Sequence, residues 1–319
     1  MTDIFAGVEN RFLLQHVKQP FLKITFALFI GLFLIWPADA RQKQTSVADL
    51  KTEIEQFLDS LEGTFAVWFQ HLDDENLHIS INPDTLFHAA STMKTPVMAE
   101  LFRRAESGDF DLADSIQVVN LFYSIVDGSE FQLDLNPDGD DPFERKVGEM
   151  ATLFDLNHAM ITYSSNIATN LILQLVGVEK TTETMRKLGA ERIEVIRGLY
   201  DMKAFELGLN NRTTAQDLGI IFEKIARKKA VSPAMDELMI EVLKDQFYRD
   251  VFPVHLPDNV VVANKTGFIT GVVHDSAIIF LPDGQSYVLI FLSKNLPDNQ
   301  IGTAGGAEIS RMIYQYLTQ

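Results

Sequence analysis

The feature that most restricts this 319-residue chain is where its β-rich stretches fall. Two lie near one end, Thr64–Leu72 and Leu77–Ile81. Three lie near the other, Asn259–Thr266, Ser276–Leu281 and Tyr287–Ser293. From Ser91 to about Phe252 the spacing is mainly helical. The first two strands read as a hairpin across Asp73-Asp74-Glu75-Asn76, and the last two join through Pro282–Gln285. An isolated two-stranded hairpin is marginal in water, so the economical solution is one antiparallel sheet built from both chain ends. Helices at Val47–Leu61, with Ser46 as N-cap, and at Ala307–Leu317 are amphipathic and would cover one face. The helical block would sit alongside. Its helix signals are Thr152-Leu-Phe-Asp155, Thr214-Ala-Gln-Asp217 and Ser232-Pro233, with Gly177 as a stop. The expected class is α/β in the α+β sense, with two lobes.

The N-terminus speaks to compartment. Lys18 and Lys23 precede an apolar run from Ile24 to Trp36, followed by Pro37 and Ala38-Asp39-Ala40. This reads as a secretory signal peptide cut after Ala40, leaving residues 41–319 as one exported catalytic domain, periplasmic or secreted. An uncleaved anchor is the alternative, because the residues ahead of the run form a long lead-in; only then would a membrane be a partner. With 27 Lys+Arg against 44 Asp+Glu, a net charge of −17 disfavours nucleic acid. With no cysteine there is no thiol nucleophile, disulfide or zinc-thiolate site. The seven histidines form no close ligand pair, so a metal-dependent hydrolase is disfavoured. Asp134-Leu-Asn136-Pro-Asp138-Gly139 copies half of a calcium loop, but Arg145 stands at the twelfth position, so a solvated acidic loop near the cleft is expected.

Three short stretches carry candidate chemistry. In Ser91-Thr92-Met93-Lys94, residues three apart at a helix start share a face, and a desolvated lysine beside a serine hydroxyl can act as its base. Tyr163-Ser164-Ser165-Asn166 falls between two helices; Ser164 can pass a proton and Asn166 can hold a carbonyl or amide, with Asn170 on the same face. Asn166 could instead simply cap the next helix. Lys265-Thr266-Gly267 ends a strand, where a lysine and a hydroxyl can hold a carboxylate and a glycine permits close approach.

In this order and on these elements, with Phe87-His88-Ala89-Ala90 ahead of the serine, the set resembles the class A serine β-lactamases and the penicillin-binding proteins that share their fold. The resemblance spans roughly residues 46–319 and implies a two-lobed fold, an acyl-enzyme on Ser91 and no cofactor. It makes Lys94 a proton acceptor and Ser164 the relay to the leaving nitrogen. Asn166 and Asn170 fall to substrate binding, and Lys265, Thr266 and Gly267 to its carboxylate end. The backbone N–H groups of Ser91 and Phe268 would form the oxyanion hole. The implied partner is a small β-lactam or peptidoglycan-like substrate met by a monomer.

Departures keep alternatives open. Glu206-Leu-Gly-Leu-Asn210 matches the E-x-x-L-N run whose glutamate activates the hydrolytic water, yet the loop after it is short, so Glu206 is either catalytic or an exposed charge. Phe268 replaces a small residue, and Ser165 stands where these enzymes usually carry Asp. Alternatives to β-lactam hydrolysis are a D-Ala-D-Ala peptidase or small amide/ester hydrolase, and a non-turnover cell-wall sensor.

Overall fold

A computed structural model describes residues 46–319 of the chain. The leader, its anchor alternative and the linker at 41–45 lie outside the described residues. Helix α1 (Val47–Asp59) is closed by a capping box between Ser46 and Asp49. It leads into β1 (Thr64–His71) and β2 (His78–Ile81). Short β3 (Phe87–His88) precedes α2 (Lys94–Glu106). Residues 107–149, expected to be largely helical, instead form loops pinned by two ribbons. These pair β4 (Ser115–Gln117) with β7 (Met150–Thr152) and β5 (Phe122–Tyr123) with β6 (Glu130–Phe131).

Then follow α3 (Leu153–Thr162), α4 (Asn166–Val176), α5 (Val178–Leu188) and the short α6 (Met202–Glu206). Strand β8 (Arg212–Thr213) pairs with β3. Helices α7 (Ala215–Ala226) and α8 (Pro233–Lys244) start at the Thr214 and Ser232 caps read from sequence. The chain closes with β9 (Val261–Ile269), β10 (Val272–Phe280), β11 (Ser286–Lys294) and α9 (Asn299–Leu317).

The sheet is a single antiparallel unit in the order β2-β1-β11-β10-β9, with Thr64 opposite Lys294 and His71 opposite Tyr287. Alternation along β1 sorts the cores. Phe65, Val67 and Phe69 join α1 and α9 on one face, with Leu50, Ile54, Ile309 and Ile313. Ala66 and Trp68 face the helical lobe, where Phe102, Met160, Leu218 and Phe222 are buried. Helix α7 comes so close that a Cβ on Gly219 would fall 2.4 Å from Trp68 Cδ1. The late strands are longer than their apolar runs: β9 and β10 meet at a two-residue turn, Thr270-Gly271, with Gly271 at φ 74°. Lys265-Thr266-Gly267 therefore lies inside a strand, not at its exit. His274 and Asp275 hid the N-terminal part of β10, because the strand buries these polar side chains.

Candidate active site

Ser91 sits in a 3₁₀ turn, Ala90–Met93, that runs directly into α2. It therefore lies within a continuous helical segment whose N-cap is Ala89, so Ser91 is not the cap itself. The turn is held from behind. Ala90, at φ 45°, donates its N–H to His88 Nδ1 at 3.0 Å. The His88 carbonyl in turn lies 2.9 Å from Nε2 of the fully buried His274. Burial pushes the His274 pKa down to about 4, and the ring is held at both nitrogens, Nε2 against the His88 carbonyl and Nδ1 between the Val273 carbonyl at 2.9 Å and Ser293 N–H at 3.1 Å. Strand β9 presses on the front of the turn. A Cβ on Gly267 would stand 3.1 Å from Ser91 N and 3.2 Å from Thr92 Cγ2, so glycine is needed here for close approach.

Lys94, one turn along, is fully buried. Its Nζ contacts the Ser164 carbonyl at 2.6 Å, Ser164 Oγ at 2.9 Å and Asn166 Oδ1 at 3.0 Å. The amine is thus bonded to the Ser164–Asn166 turn and not, as the spacing suggested, to the Ser91 hydroxyl. Burial, reinforced by the charge of Lys265 and opposed by Asp141, holds its pKa well below the ordinary lysine value. Ser164 occupies left-handed backbone at φ 56°, a strained conformation for a non-glycine residue. Ser165 caps α4 through Ala168 N–H at 3.2 Å, so Asn166 is released from capping, and among the described residues its amide bonds Lys94 through Oδ1.

Lys265 is also fully buried, and burial lowers its pKa to about 7 despite the nearby Asp275. Its Nζ donates to the Thr266 carbonyl at 3.0 Å. Asp275, raised to about 6 by burial, accepts from Asn264 Nδ2 at 3.0 Å and Ser276 N–H at 2.9 Å.

Two cavities open on Ser91, and Asn166 and Phe268 line both. One, of about 460 Å³, is walled by Leu199, Tyr200, Met202, Phe205 and Ile269. The other, of about 500 Å³, is walled by Ser164, Thr266, Tyr163, Tyr248, Asp141 and Asp250. Sequence reading missed the apolar wall of the first cavity and Tyr248 and Asp250 of the second. The Asp134–Arg145 segment gave the available signal for Asp141; the apolar wall is loop sequence without period.

A family model described as "Beta-lactamase enzyme family" matches residues 49–317. The chain belongs to that family. A β-lactamase of Bacillus licheniformis is 29% identical over 262 residues, covering 81% of this chain and 78% of that relative. The crystal structure of a β-lactamase from Sphaerobacter thermophilus is 26% identical with a TM-score of 0.68, covering 84% of this chain and 95% of that one. The structure of PBP-A, at 24% identity and a TM-score of 0.73 over 85% of this chain and 96% of its own, shares the fold.

Within the family frame, two of the sequence-derived site residues are not brought to Ser91. Glu206 ends α6 with its side chain exposed and lines neither cavity. Asn170 shares its helix face with Asn166 but sits one turn deeper. There its Nδ2 donates to the Leu199 carbonyl at 2.9 Å and its Oδ1 accepts Leu199 N–H at 2.7 Å. Its amide is spent on the loop backbone, which makes it a clamp on the cavity wall and not a substrate contact. Through that clamp Asn170 fixes Leu199, which lines the first cavity with Arg197, Tyr200, Met202, Phe205 and Asn211 of the same loop. The acidic loop closes on itself: Glu144 accepts Asn136 N–H, and Arg145 donates to the Pro137 and Gly139 carbonyls.

Proposed function

We propose that this chain is a serine acyl hydrolase that takes β-lactams and related small amides onto Ser91 and releases the acyl group slowly. The observation that carries the reading is the buried Lys94 amine, wedged against Ser164 and Asn166 beside a cavity-facing serine. A neutral Lys94 accepts the Ser91 proton as Oγ bonds to the carbonyl carbon. Ser91 and Phe268 N–H groups, drawn together by the Gly267 contact, receive the oxyanion. Collapse breaks the C–N bond. Ser164 Oγ–H protonates the leaving nitrogen and is itself reprotonated from Lys94, which restores the neutral amine.

The substrate carboxylate falls to protonated Lys265 and the Thr266 hydroxyl, and its side-chain amide to Asn166. Release needs water attack on the ester, and the 197–211 loop offers the cavity apolar side chains where a carboxylate base would stand. This favours efficient acylation with a long-lived adduct. It also keeps a D-alanyl-D-alanine peptidase or a non-turnover sensor as the second reading. No step calls for a cofactor. The proposed setting is an exported domain over residues 41–319, periplasmic or secreted, acting as a monomer.

The test mixes purified protein with a chromogenic cephalosporin and follows absorbance and intact mass together. An adduct should form on the peptide containing Ser91, with turnover far slower than acylation, and both should vanish in Ser91→Ala. Absence of adduct and turnover overturns the reading; rapid multiple turnover overturns the slow-release half of it.

A further inference from the structure

We infer that the two chambers flanking Ser91 select a ligand with an apolar acyl group on one side of the scissile amide and a cationic substituent on the leaving side. The inference rests on the acylation reading above. The direction follows from which residues each chamber holds. Ser164 and Thr266, the proton donor and carboxylate anchor of that reaction, line only the second chamber, which is therefore the leaving side. The first chamber keeps large apolar side chains in view of solvent: Tyr200 is 50% exposed, Met202 53% and Phe205 46%, an arrangement that costs free energy until a ligand covers it.

The leaving-side chamber is aromatic and acidic. Tyr163 leans on Phe247 with centroids 5.3 Å apart, and Phe247 meets Tyr248 edge-on at 5.3 Å, which fixes both tyrosine rings. Asp141 is oriented by Phe143 N–H at 2.9 Å and by the Ser165 hydroxyl. Neither Asp141 nor Asp250 is in an ion pair among the described residues. The two basic side chains nearest Asp141 in charge are otherwise engaged: Lys94, neutral in the acylation reading, with Ser164 and Asn166, and Arg145 with loop carbonyls. Burial, then the charges of Asp140, Asp141, Asp250 and Glu144, keep the Tyr248 hydroxyl protonated. Carboxylates beside fixed aromatic rings attract a cation both by charge and through the ring faces. With Lys265 and Thr266 on the same side, the favoured leaving portion is zwitterionic: a carboxylate with an amine, as in the amide of a diamino acid, or a cephem with a quaternary nitrogen.

Two cephalosporins with one acyl side chain, bearing acetoxymethyl or pyridiniomethyl at C3, isolate this term. Their second-order acylation rates, measured by intact mass and each divided by its hydroxide hydrolysis rate, give a ratio that general loss of activity leaves unmoved. The cationic partner should acylate about tenfold faster at low salt. The ratio should fall towards one with added salt and in the Asp141→Asn/Asp250→Asn double variant. Should that variant not fold, Asp250→Asn alone, an exposed change, should lower the ratio part-way. Equal rates in the wild type, or a preference untouched by the substitutions, overturn the inference; acylation by neither compound overturns the acylation reading itself.

Discussion

The Lys94 corner and the 197–211 loop both border Ser91 and are built on opposite principles. In the corner the side chains themselves are locked. Lys94, Thr95, Ser165 and Asn170 are buried, and Lys94 Nζ alone makes three polar contacts. In the loop the backbone is locked and most side chains are not. Asn170 clamps Leu199, Asn211 binds both N–H and carbonyl of Arg197, and Asp201 accepts Ser124 Oγ–H and Ile125 N–H. Tyr200, Met202, Phe205 and Leu207 stand exposed on that frame. A corner of interdependent side chains tolerates little change, whereas a loop framed through its backbone can exchange outward residues without unfolding. In the proposed reaction, acylation would then rest on the locked corner and release on the exchangeable outward face of the loop.

The largest expected effect attacks the corner. Lys94→Met should slow acylation by roughly 10²–10⁴-fold, in keeping with loss of a general base, with secondary structure retained by circular dichroism. Acylation within tenfold of wild type would remove Lys94 from the mechanism. Converting the loop to the opposite principle comes next. Leu199→Glu puts a carboxylate where Asn170 already fixes the backbone, and should shorten the acyl-enzyme half-life about tenfold or more by mass spectrometry. An unchanged half-life would mean that the loop does not govern release.

A pH profile separates the two buried lysines. Lys265 must be charged to hold a carboxylate, and its pKa is near 7. The acylation rate constant per ligand concentration should therefore fall about tenfold per unit well above that pH, whereas the need for a neutral Lys94, whose pKa burial holds well below the ordinary lysine value, acts with the opposite sign. Lys265→Arg should move the falling limb above the range of the assay. The stability sign is opposite: folded Lys265 binds fewer protons than the unfolded chain between about pH 7 and the ordinary lysine value of 10.5, so its contribution favours folding increasingly with pH there. Asn170→Ala should cost about 2 kcal/mol in urea unfolding, for two lost bonds to half-buried backbone, and should loosen the loop without abolishing the adduct. The smallest effect is expected at Glu206, whose side chain is exposed: Glu206→Gln should leave the acyl-enzyme half-life within about twofold. A collapse of turnover there would restore Glu206 to the site.

The sheet built from both ends was legible because strand alternation and terminal amphipathic helices leave few other packings. Ser91, Lys94, Ser164, Asn166 and Lys265 were legible as residue types with fixed local spacing. The rest required tertiary information. The target of Lys94 depends on the left-handed turn at Ser164, which no periodicity encodes. The E-x-x-L-N match at Glu206 read correctly as letters, but a shortened loop places Leu199 under the Asn170 clamp and turns Glu206 outward. The extension of β9 and β10 was masked because buried His274 and Asp275 look like loop residues until their hydrogen-bond partners are seen.

Pairing of β1 with β11 has a consequence for how the protein is made. A growing polypeptide presents Thr64–His71 long before its central partner, Ser286–Lys294, has been synthesised. Until then β1 has only β2 to pair with, and its other edge stays open while the intervening helices emerge. Assembly must wait for almost the whole chain, a high contact-order route that is slow and exposes sticky edges meanwhile. For a protein expected to leave the cell, that delay is an asset, since a chain that cannot finish its sheet early remains threadable until export is done.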